Sequence, residues 1–125
     1  MKLENQVCSL ELAKKLKELG VKQESLFYWF VYKNKYNELS TGLKKGGGHG
    51  KSRFSAFTVA ELGEMIINKK FGLPFLEDYP HENDICWKFL NPYTEFAEDK
   101  RVIGRLSDIT EADARAIMLI HLNVL

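Results

Sequence analysis

Ten consecutive residues carry the densest chemistry in the chain: Lys44-Lys45-Gly46-Gly47-Gly48-His49-Gly50-Lys51-Ser52-Arg53. Four strong cations, Lys44, Lys45, Lys51 and Arg53, are set around four glycines. Glycine lets successive backbone amides point the same way, and concave nests of amides hold anions. Lysine and arginine add charge-assisted hydrogen bonds to phosphate oxygens, and the Ser52 hydroxyl is a further donor. The expected phosphate-holding set is Lys44, Lys45, Gly47, Gly48, Lys51, Ser52 and Arg53. The same composition also suits a surface loop whose glycines give flexibility and whose lysines keep it solvated.

Gly50-Lys51-Ser52 invites comparison with a nucleotide-binding P-loop, and the comparison fails on spacing. That loop needs a glycine five positions before Gly50, where Lys45 stands. A second group lies upstream. Phe27-Tyr28-Trp29-Phe30-Val31-Tyr32, followed by Lys33, Lys35 and Tyr36, sets rings beside cations. Rings stack on bases and cations neutralise phosphates. Side chains alternate across a strand, so Tyr28 and Tyr32 share a face. Tyr28, Trp29 and Tyr32 are the candidate stacking residues, although aromatic residues in a strand serve more often as core.

Other reactive types are scattered. His81, Glu82, Asn83 and Asp84 hold possible metal ligands, but no second histidine stands at a ligating spacing, so no metal site is expected. Cys8 and Cys86 form no Cys-x-x-Cys pair and read as buried reduced thiols. No paired carboxylates suit acid–base work. No catalytic residue is assigned, and enzyme is the minority reading.

Those groups must be carried by a chain of 125 residues, enough for one hydrophobic core and one domain over 1–125. Lys and Arg number 18 against 17 Asp and Glu, so overall charge makes no case for nucleic acid or a membrane surface, and any such binding needs a local patch. No apolar stretch approaches a bilayer's thickness, and the first residues lack the apolar run of a secretory signal. No membrane association is expected.

Apolar periodicity predicts a helix over 9–19, with Ser9 as N-cap, Leu12, Ala13, Leu16 and Leu19 on one face, and Gly20 at its end. An aromatic, β-branched strand over 26–32, covered on both faces or central in a sheet, precedes a possible second strand over 36–41 and a glycine-rich loop over 42–52. Thr58-Val59-Ala60-Glu61 is a capping box opening a second helix. An irregular connection from Phe71 leads to a strand over 85–90 and a hairpin of 93–97 with 101–106. Thr110 caps the last helix, which runs to about 123. The expected fold is α+β: an antiparallel sheet of about four or five strands with three helices mainly on one face.

Three segments, residues 5–29, 56–65 and 110–116, resemble a family of small uncharacterised phage and prophage proteins. The stretch 36–53 departs from that pattern, which makes its basic loop particular to this chain. The resemblance implies a phage origin and a place in the cytoplasm of a host bacterial cell, and it transfers no catalytic motif or cofactor. Small phage proteins of this setting include inhibitors of bacterial immunity that sequester nucleotide signals. The leading expectation is thus a non-enzymatic protein binding a small phosphorylated nucleotide, as a homo-oligomer, to blunt host defence. A protein–protein module blocking a host defence factor and a nucleic-acid binder are the alternatives.

Overall fold

In the computed structural model, which describes residues 2–46, 52–78, 84–90 and 100–124, three hydroxyl residues each start a helix. Each hydroxyl accepts an amide that the first helical turn leaves without a partner. Ser9 Oγ takes the Leu12 amide at 3.5 Å and opens α1, Leu10–Glu18. Thr58 Oγ1 takes the Glu61 amide at 3.2 Å and opens α2, Val59–Asn68, while Glu61 Oε1 accepts from the Thr58 amide at 3.0 Å to complete the box. Thr110 Oγ1 takes the Asp113 amide at 3.1 Å ahead of α3, Glu111–Val124. The end of α1 is as sharply set. Gly20 adopts φ +86°, which glycine reaches at little cost, and the Val21 amide turns back to Leu16 O at 3.1 Å.

The strands fall into two antiparallel sheets. Strands β1 (Phe27–Lys33), β2 (Leu39–Lys45) and β3 (Arg53–Ser55) pair in the order β2-β1-β3. Strands β4 (Phe75–Asp78), β5 (Ile85–Leu90) and β6 (Lys100–Arg105) pair in the order β4-β5-β6, with a register shift at Trp87/Lys88. The α+β class holds. A single sheet of four or five strands does not: among the described residues there are two sheets of three. Strands β3 and β4 are three and four residues long, and each gives its longer neighbour a second partner. The enclosed strand is β5, buried at positions 86–89, whereas β1 is central but runs out to exposed Tyr32 and Lys33. The stretch expected as a loop over 42–52 begins as strand, since Gly42, Leu43, Lys44 and Lys45 all pair with β1. The same strand, expected over 36–41, starts only at Leu39 and runs on to Lys45. The expected strand over 93–97 lies outside the described residues.

One core draws on every layer. Leu16 of α1, Leu62 and Ile66 of α2, and Met118 and Leu119 of α3 meet Phe57 and Phe89. Trp29 and Phe54 from the first sheet and Ile103 from the second pack against the same cluster. Close approach of α2 and α3 depends on Gly63, over which the Arg115 guanidinium lies while Nη1 donates to Val59 O at 2.7 Å. Among the described residues no helix is long and apolar enough to cross a membrane.

Candidate functional site

Alternation along β1 divides its rings between two faces. Trp29 points inward with its paired neighbours Leu43 and Phe54, and its indole N–H donates to Cys8 O at 2.8 Å. Its ring and its donor are both committed to the core. Tyr28, Phe30 and Tyr32 take the opposite face. Tyr28 is only 7% exposed, and its hydroxyl donates to Gln23 O at 3.2 Å and accepts the Ser25 amide at 3.4 Å. It therefore anchors the turn ahead of β1. Tyr32, by contrast, is 45% exposed.

Phe30, which a search for rings with a polar handle passes over, completes the outer face. Its ring lies near-parallel to that of Tyr32, with centroids 5.3 Å apart and planes 24° from each other. The strand alternation that groups Tyr28 with Tyr32 is the signal that could have found it. Directly across from Phe30 on β2 is Gly42. A Cβ built there would come within 2.7 Å of Phe30 Cε1, so the ring occupies the space that any other residue would fill. Rings often cover cross-strand glycines in this way for structural reasons alone. That accounts for the pose of Phe30 and leaves the exposure of Tyr32 without a packing purpose.

Two cations flank the rings from neighbouring strands. Lys44 of β2 shares the face, with Nζ 4.9 Å from the Phe30 ring centroid. Arg53 of β3 is paired with Phe30 in register and is exposed. Lys45 alternates to the other side, opposite Phe27. Ser52 is exposed just before β3, and its carbonyl accepts the Val31 amide at 3.0 Å. The structure thus brings together Tyr32, Lys44, Arg53 and the unanticipated Phe30. Gly47, Gly48 and Lys51 lie outside the described residues.

Gly42→Ala is expected to displace the Phe30 ring without unfolding the chain. A strand glycine gives up roughly 0.5–1 kcal/mol to alanine, which offsets part of the clash with a half-buried ring free to swing outward. Net stability should change by no more than about 1 kcal/mol. The Tyr32 ring resonances should shift as the neighbouring ring current moves away. Unmoved resonances would mean that Gly42 does not set the platform.

The thiols offer no reactive alternative. Cys8 and Cys86 are both buried. Burial pushes the Cys8 thiol up to about 12, so it carries no thiolate near neutral pH. Asp113 is raised too, by burial, against the lowering effect of the Ser9 amide that it accepts at 2.8 Å. That hydrogen bond ties the start of α1 to α3. Among the described residues no group of His, Cys, Asp and Glu could hold a metal ion.

What the outer face can do is bind: rings for a planar group, cations for anionic oxygens. No protein-family model, curated protein or solved structure matches the chain.

Proposed function

We propose that this protein binds phosphorylated nucleotides on the outer face of its first sheet, without chemical turnover. The observation that carries the reading is the stacked pair of half-buried Phe30 and exposed Tyr32, with Lys44 on one flank and Arg53 on the other. A base has a π-face that stacks on the rings, and its phosphate meets an ammonium or a guanidinium. In the phage setting that the three segments imply, such binding withholds nucleotides from the host's defence.

Lys44→Ala/Arg53→Ala is the first test, read by calorimetric titration with ATP and with a cyclic dinucleotide. Both side chains are exposed, so the fold should survive their loss. Hydrogen bonds to charged groups are worth roughly 1.5–3 kcal/mol each, less where solvent screens them, so affinity should fall at least about tenfold. Unchanged affinity in the folded double variant overturns the site. Chromatography of the ligand after incubation should recover it intact, and a hydrolysed product would refute the absence of turnover.

A further inference from the structure

The first sheet carries four cations, Lys44 and Arg53 on the face of the rings and Lys33 and Lys45 on the other, and strands β1, β2 and β3 contain no Asp or Glu. In a chain whose formal charge is only +1, that is a local concentration of positive charge. Its layout matters more than its size. Lys44 and Arg53 stand on the two strands either side of β1, two strand spacings across the sheet and two residues apart along it, about 12 Å between backbones. Around the edge of β3, on the side to which Phe54 turns, α1 carries two further lysines. Lys17 Nζ donates to Arg53 O at 2.9 Å and sits 4.9 Å from the Phe54 ring centroid, and Lys14 Nζ lies 5.7 Å from the same centroid.

A free mononucleotide such as ATP carries its phosphates together on one side of its base. Stacked on Tyr32 or Phe30, it reaches one flank and leaves the other cation and the α1 lysines unused. A single strand has phosphates on both sides of every internal base. Crossing from β2 to β3, it sets one phosphate at Lys44, lays bases on the rings, meets Arg53, and turns over the β3 edge to reach Lys17 and Lys14. We propose that the nucleotide taken by this face is a segment of single-stranded nucleic acid, running across the strands from β2 and over the edge of β3 to the α1 lysines. The proposal rests on the nucleotide reading above and narrows its ligand. Binding tolerates any sequence, since every base presents a π-face.

Fluorescence anisotropy with a labelled oligothymidylate about twelve nucleotides long, within the span of sheet-based single-strand sites, tests it. Each neutralised phosphate of a single strand contributes about 0.7 to the slope of log affinity against log salt, so about four neutralised phosphates give roughly −3. Lys14→Gln/Lys17→Gln keeps the side-chain stems over Phe54 and should bring the slope to roughly −1.4. The same variant should leave ATP binding unchanged. ATP bound as tightly as the oligonucleotide, or an unaltered slope in the lysine variant, overturns the strand proposal and leaves the nucleotide reading standing. A duplex of equal length bound equally well also overturns it, because the rings then play no part. Failure of both ATP and the oligonucleotide to bind defeats the nucleotide reading itself.

Discussion

Phe57→Ala is expected to cost roughly 3–5 kcal/mol of stability, the usual range for emptying a buried phenylalanine site. Phe57 is fully buried at the junction between β3 and α2, within the cluster that α1, α2 and α3 share. Its surroundings are tied down on both sides, which limits collapse into the cavity. The Phe57 carbonyl accepts the Cys8 amide at 3.0 Å, and Val7 bridges to Thr58 next door. Domains of this size hold only about 5–15 kcal/mol in total, so the variant sits near the edge of folding. Urea unfolding followed by tryptophan fluorescence should show the midpoint falling by roughly 2 M, taking about 2 kcal/mol per molar urea. Trp29 reports locally, because its indole is bonded to Cys8 on the other side of the same junction. A loss below about 1 kcal/mol would mean that the site closes over the missing ring, and that Phe57 is not the keystone of the core.

The parts of the fold that can be read in advance are those whose signals are local. Ser9, Thr58 and Thr110 cap helices because a hydroxyl and an amide three residues on suffice to do so, and β5 is legible from an apolar run interrupted only by Lys88. Sheet partnership is not, since it is decided by residues far apart in sequence. Strand β3 is three residues long and acquires its identity only by lying against β1. Strand β4 includes Glu77 and Asp78, which read as connection, and the structure sets Glu77 in ion pairs with Lys100 at 2.9 Å and Lys88 at 3.8 Å. Gly42 reads as the start of a loop because glycine interrupts the strand pattern. Phe30 supplies from across the sheet the side-chain bulk that Gly42 lacks, and the strand runs on through Lys44 and Lys45. The same long-range placement separates the aromatic candidates. Composition nominates Tyr28, Trp29 and Tyr32 alike, while burial leaves only Tyr32 exposed and strand alternation sets the half-buried Phe30 beside it.

Phe30→Ala/Tyr32→Ala should remove roughly 2–6 kcal/mol of binding to single-stranded nucleic acid, at about 1–3 kcal/mol for each stacked base. The two rings touch, so the single variants should not sum to the double one, and their coupling measures how far they act as one platform. Folding should be little affected, because Tyr32 is exposed and Phe30 forfeits chiefly its cover over Gly42, a cross-strand pair worth roughly 0.2–1 kcal/mol. Salt dependence separates this variant from those that remove charge. Stacking releases no counterions, so the line of log affinity against log salt should drop without changing slope. Removing Lys44 and Arg53 should instead flatten that line by about 1.4, at roughly 0.7 for each phosphate no longer neutralised. A parallel drop for the rings and a flattened slope for the cations identify a face that holds bases and phosphates by separate means. If removing the rings leaves the line where it was, attraction at this face is charge alone, and Phe30 serves only to complete the sheet over Gly42.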